Sequence, residues 1–155
     1  MSQYQVSNDM AGTKQATTTT YKTLTEVYAV TAALRRGRLV DMTVGTEGTP
    51  ADNSYQFDVS RMGTSAGTVT AATPSPIDLA DVACSSVAGV NATGESTIGV
   101  QLLYIPLNQR ASYRWVARDE REALVWPATN FAGLACRAKS AVGTVVCGAS
   151  LIFDE

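Results

Sequence analysis

Apolar and polar residues alternate along much of this chain with the two-residue period of β-strands, and the alternation begins in earnest at Tyr21. "TLTEVYAVT" (23–31) and "RGRLVDMTVGT" (36–46) are rich in β-branched residues. In the second, Val40, Met42 and Val44 alternate with Leu39, Asp41, Thr43 and Gly45, so the first set is expected to face a core. "SYQFDVSRM" (54–62) places Tyr55, Phe57 and Val59 on one face and Gln56, Asp58 and Ser60 on the other, the pattern of a half-buried antiparallel strand. "TIGVQLLYIPLN" predicts a strand ending near Pro106, and "ASYRWVA" (111–117) another. A charged turn, "RDERE", and a short strand stopped by Pro127 follow. "AGLACRAKS" suits a strand or a short helix; with "AVGTVVCGASLIF" after it, a final hairpin turning near Ser140 to Gly143 is the expectation.

Between these strands lies a long connection from Gly63 to Thr97. Pro74 and Pro76 lack a backbone donor and break strands. "SPIDLADVAC" suits one or two helical turns, with Ser75 as cap, Pro76 at the first helical position, and Ile77, Leu79 and Val82 packing on a sheet. Residues 1–20 are polar, with Tyr4, Val6 and Met10 as the large apolar exceptions. They are expected to form an extended N-terminal arm whose Tyr4, Val6 and Met10 contact a neighbour, or else a frayed tail. Seven to nine short strands in residues 21–155, with long crossovers, predict an all-β fold: a jelly-roll-like antiparallel β-sandwich.

Composition narrows the chemistry. The chain has 155 residues, enough for one domain with a substantial core, and only 17% are charged. Twelve Lys and Arg against fourteen Asp and Glu give a net charge of −2, with no general attraction to nucleic acid or anionic membrane. There is no histidine, which removes Ser-His-Asp and Cys-His catalysis and the commonest metal ligand. No apolar run approaches the roughly 18 residues of a membrane span, and the N-terminus has no apolar signal region. Synthesis in a cytosol is the expectation. Cys84, Cys136 and Cys147 form no CxxC pair. They suit buried thiols, although Cys136 and Cys147 could face each other across neighbouring strands.

The remaining candidates are modest. Asp119, Glu120 and Glu122 are interleaved with Arg118 and Arg121, which suits a solvated hairpin tip better than an acid pair for glycoside hydrolysis. "GTEGTPADN" (45–53), with Gly48, Pro50 and Asn53, has an oxygen-rich look but lacks the spaced acids of a calcium loop. "NAT" at Asn91 to Thr93 matches a glycosylation acceptor without the context that would give it meaning. Arg35, Arg36 and Arg38 around Gly37 suit an interface or a surface turn. Asn108 to Thr129 holds both tryptophans and four of the nine arginines. Arg beside Trp and Tyr is the mixture enriched at protein interfaces, so Arg110, Tyr113 and Arg114 are expected to meet a partner. Trp115 and Trp126 are equally suited to bracing the core. No enzymatic activity and no cofactor or metal are expected.

The stretch "LNQRASYRWVA…ALVWPATNFAGLACRAKS" resembles a family of small virion proteins of tailed bacteriophages, the trimeric jelly-roll capsid decoration, or cement, proteins. The matching positions are Asn108, Gln109, Arg110, Ala111, Tyr113, Arg114, Trp115, Val116, Ala117, Pro127, Ala128, Thr129 and Gly133. "VGTEGTPADNSYQFDVSRM" resembles the family's "G-TPADN" loop and following strand, and "TPSPIDLAD" its Pro-rich connection. One departure is "RDERE" in place of a Gly-rich tip. The resemblance implies a homotrimer on the outer surface of the virion capsid, made in the bacterial host cytoplasm. Its partner would be the major capsid protein, and its action to stabilise the head without touching membrane or nucleic acid. The interface would then include Arg110, Tyr113, Arg114, Arg35 and Arg36. The alternative is a receptor- or carbohydrate-binding β-module of a virion appendage, with Tyr104, Trp126 or Phe131 lining a sugar site.

Overall fold

The computed structural model describes residues 1–49 and 51–155, so Pro50, expected to lie in a loop, falls outside the described residues. The described residues form twelve strands and no helix. They are β1 (Gln3–Ser7), β2 (Lys22–Tyr28), β3 (Gly37–Thr46), β4 (Ser54–Met62), β5 (Thr68–Ala72), β6 (Ser75–Pro76), β7 (Val87–Gly94), β8 (Ile98–Asn108), β9 (Ser112–Val116), β10 (Leu124–Trp126), β11 (Gly133–Lys139) and β12 (Cys147–Asp154). One sheet runs β10–β3–β12–β1–β6, with β9 also on β3; the other runs β5–β7–β2–β11–β4–β8. From β1 to β4, and again from β8 to β12, the chain passes back and forth between the sheets. That is a jelly-roll path through an antiparallel β-sandwich.

The core lies between the sheets. Tyr55, Phe57 and Val59 of β4 face it as the alternation predicts, each at most 1% exposed. Leu24, Val27, Leu134, Leu151 and Phe153 pack with them. Trp126 lies 5.6 Å from Phe153, ring centroid to centroid, and Phe153 lies 5.8 Å from Tyr4, so three rings tie β10, β12 and β1 together. Burying each ring contributes about 2–3 kcal/mol.

Several expectations need correction. In β3, Asp41 pairs with Ile152 but Leu39 pairs with Phe153, so Val40 is an extra residue in a bulge. The bulge turns Leu39 inward with Met42 and Val44, and Val40 is only half-buried. The expected arm is also corrected, together with a boundary at residue 20. Gln3–Ser7 pair with Ser150–Asp154 of β12, making β1 an integral strand of the roll. Tyr4 and Val6 are 1% and 0% exposed inside their own sandwich and unable to anchor a neighbour. Met10 is 39% exposed and accepts a hydrogen bond at Sδ from the Ser7 N–H, 3.3 Å away.

No helix forms at 75–84. Ser75 and Pro76 form β6 at the edge of the first sheet, where a missing donor is tolerated. Ile77, Leu79 and Val82 are exposed rather than packed on a sheet. The connection is instead stitched down at two points: the Tyr4 hydroxyl donates to the Val82 carbonyl at 3.0 Å, and Glu155 accepts from the backbone of Ser85 and Ser86. The strand expected to end near Pro106 ends at Asn108, and Pro106 is accommodated within it because β8 is the outer strand of the second sheet.

The expected final hairpin is absent, since β11 and β12 belong to different sheets. Cys136 and Cys147 therefore do not sit on neighbouring strands, and all three cysteines are free. Burial raises the pKa of each thiol, to about 12 for Cys84 and Cys147, which leaves them unreactive near neutrality.

Candidate interaction surface

The chain leaves the second sheet at Asn108 and enters the first at Ser112, so β8 and β9 expose their free edges on one side of the sandwich. The turn between them is firmly held. Gln109 is 5% exposed; its side chain donates to the Thr49 carbonyl at 2.8 Å and accepts from Asn53 Nδ2 at 3.2 Å. The Gln109 backbone donates to the Asn53 carbonyl at 2.9 Å and accepts from Thr46 Oγ1 at 2.6 Å. Beside it, Arg110 Nε lies 2.8 Å from Asp52 Oδ1. The "ADN" and "NQR" segments, far apart in sequence, thus form one unit. This also accounts for the polar look of residues 45–53: Asp52 pairs with Arg110 and Glu47 with Lys14.

Tyr113 is 39% exposed and Val116 50% exposed on β9; Tyr104 and Val100 stand out from β8. Arg114 points outward as expected, but it is not free. It forks onto Asp41, with Nε 3.0 Å from Oδ1, and this hydrogen bond raises the guanidinium pKa still further. Trp115 is half-buried against the core and Trp126 is sealed at 1% exposure. Arg35 and Arg36 are exposed on the segment before β3. The structure thus brings Arg110, Tyr113 and Arg114 together on one edge. It sets Arg35 and Arg36 before β3 and puts Tyr4 and Val6 inside.

The charged turn is not a hairpin tip. Both β9 and β10 pair with β3, at Asp41–Gly45 and Gly37–Leu39 respectively, so they lie end to end along one strand. Ala117 bridges them through its N–H to the Val40 carbonyl at 2.9 Å. The loop that follows loops out and folds back, where Glu120 meets Arg38 at 3.0 Å. Arg38 also binds Asp154, with Nε 2.9 Å from Oδ2. Arg118 and Glu122 pair within the loop, which lowers the Glu122 pKa as expected for an ionised acid.

Of the three aromatics considered for a sugar site, Trp126 is core, Phe131 is half-buried 6.0 Å from Tyr28, and Tyr104 is exposed. Among the described residues no three His, Cys, Asp or Glu side chains are grouped to hold a metal ion. The Asn-Ala-Thr acceptor is closed to modification in the folded chain, because Asn91 is 3% exposed.

Sequence reasoning missed three buried polar pieces: Asn8 with Asn91, Asp58 with Arg137, and Glu26. For Asp58 the strand pattern itself pointed outward, and it does lie on the outer face, but covered. Arg137, Ser60 and Gln101 all donate to its carboxylate, and Tyr21 stacks 4.5 Å from the Arg137 guanidinium. Comparison of the chain with protein-family models, curated proteins and solved structures finds no match.

Proposed function

We propose that this protein is a capsid decoration protein: a homotrimer that binds the major capsid protein on the outside of a tailed-phage head and stiffens the shell. The observation that carries the reading is the edge formed by β8, β9 and their turn. There the family-like "ADN" and "NQR" segments lock together through Gln109, Asn53, Arg110 and Asp52. The same edge presents Tyr113, Val116 and Tyr104 to solvent. A rigid turn with exposed aromatic and arginine side chains loses little conformational entropy on docking. Repetition by symmetry would multiply modest contacts into high avidity. A role of this kind calls for a firm β-scaffold and no catalytic group.

The test is reconstitution. Purified protein is added to heads assembled without it, and bound copies are counted. Binding in the hundreds per head, with improved survival of heat or low salt, is the expected result. Tyr113→Asp should abolish binding while leaving the melting temperature nearly unchanged; Arg110→Glu, which also breaks the exposed pair with Asp52, should abolish it too, with melting measured alongside. Failure to bind, or no gain in head survival, overturns the proposal. A few dozen copies per particle would instead indicate an appendage module.

A further inference from the structure

The far end of the β9–β10 edge carries a second surface, distinct from the β8–β9 turn. Two cavities of about 340 and 490 Å3 meet there and share Arg36 and Val125 in their linings. Gly37, Arg38, Glu120 and Asp154 bound the first; Arg61, Pro127 and Ala128 bound the second. Together they make a trough along β10, in the size range of sites that hold a ligand or a short peptide.

Ion pairing separates the arginines of this trough. Arg38 is paired with both Asp154 and Glu120. Arg36 and Arg61 have no carboxylate partner among the described residues. Arg61 donates from one terminal nitrogen to the Val125 carbonyl at 2.9 Å, which fixes the side chain across the end of the sandwich and leaves the rest of its fork available. Two guanidinium groups thus flank an apolar strip of Val125, Pro127 and Ala128.

A guanidinium fork selects carboxylate or phosphate. Nucleic acid fits poorly: among the described residues no aromatic ring lines the trough for bases to stack on. A polypeptide carrying spaced carboxylates fits both the cations and the apolar strip. We propose that this trough docks an extended acidic segment of a partner protein, with carboxylates on Arg36 and Arg61 and a small apolar side chain over Val125 and Pro127. The proposal does not rest on the shell-binding reading, since any protein can supply such a segment.

The experiment is an NMR titration of the intact protein with the capped peptide Glu-Val-Glu-Val-Glu-Val. Hexalysine, inorganic phosphate and a thymidine oligonucleotide serve as parallel probes. Amide shifts confined to Arg36, Gly37, Arg61 and Val125 are expected, weakening as salt is added. Arg36→Glu should reduce the affinity about tenfold or more, the loss that goes with one charge-assisted contact. Arg36 is exposed, so this variant keeps its fold. Arg61→Gln should act in the same direction, with melting measured alongside. The proposal is overturned by any of three outcomes: no localised shifts, an unchanged affinity in Arg36→Glu, or tighter binding of the oligonucleotide or phosphate than of the peptide.

Discussion

The side chain of Asn91 holds the main chain of Asn8. Asn91 Nδ2 donates to the carbonyls of Asn8 and Ala11 at 2.8 and 2.7 Å, and Asn8 Nδ2 donates back to Asn91 Oδ1 at 3.3 Å. Asn8 meanwhile donates to the Cys147 carbonyl at 2.8 Å and accepts from the Ala149 N–H at 3.0 Å. Two buried amides therefore clamp the end of β1 to β7 and β12. Asn91 also takes a left-handed φ of 53°, which asparagine tolerates better than most residues.

Asn91→Ala should therefore destabilise the protein by about 3 kcal/mol or more, through two carbonyls left buried and a strained backbone. Asn91→Gly should lose the bonds but not the backbone fit, and so recover about 1 kcal/mol of that loss. Urea midpoints at constant m-value measure both. Equal midpoints for the two variants would show that the backbone conformation carries no weight.

Gly37 explains itself in a similar way. A Cβ at that position would fall 2.1 Å from Cζ2 of Trp126, so the glycine is the space the indole occupies. Gly37→Ala should cost about 1–3 kcal/mol by overpacking. In a Trp115→Phe background, the Trp126 emission should shift with it. A variant that melts like the parent with unchanged emission would mean that the ring moves aside freely.

Glu26 makes stability depend on pH. Its residue exposure is 0%, Oε1 accepts from the Gly67 N–H at 3.2 Å, and Oε2 has no hydrogen-bond partner among the described residues. Burial raises its pKa above the ordinary 4.5; the Gly67 bond opposes the rise and Glu95 adds to it. The folded state thus holds the proton more tightly than the unfolded state. The contribution is fully present below about pH 4.5 and is lost as pH rises through the folded value. Glu26→Gln should stabilise the protein near neutrality and have little effect at low pH, as thermal melts across the range would show. A gain of the same size at every pH would remove the titration from the account.

Asp58 and Arg137 should behave as a unit. Asp58→Asn breaks a covered ion pair and should cost about 3 kcal/mol or more. Replacing both residues, as Asp58→Asn with Arg137→Met, should cost less than the first change alone, because no unpaired guanidinium remains under Tyr21. A chemical-denaturation cycle of the three variants reads the coupling directly. Additive losses would show that the two charges act independently.

The strand pattern carried the fold class because alternation reports which face of a strand is buried, as at Tyr55, Phe57 and Val59. It does not report which sheet a strand joins. "AGLACRAKS" and the last strand therefore read as a hairpin while the chain crosses between sheets. Period two also fails wherever a bulge inserts a residue, which is why Val40 and Leu39 exchange places. The polar composition of residues 1–20 predicts an arm or a frayed tail, yet a strand paired on both sides needs only two inward side chains, here Tyr4 and Val6. At the candidate surface, the clustering of Arg110, Tyr113 and Arg114 was visible in the sequence. Their partners were not, because Asp52 and Asp41 lie 58 and 73 residues away along the chain.

The end-to-end placement of β9 and β10 turns the intervening loop into a splice point. Ala117 and Leu124 are each fixed by β3, so the ends of the loop are held whatever lies between them. A foreign epitope inserted between Asp119 and Arg121 would lengthen an excursion without shifting the register of either strand. The same scaffold could then present added sequence on its surface while both strand ends stay paired to β3.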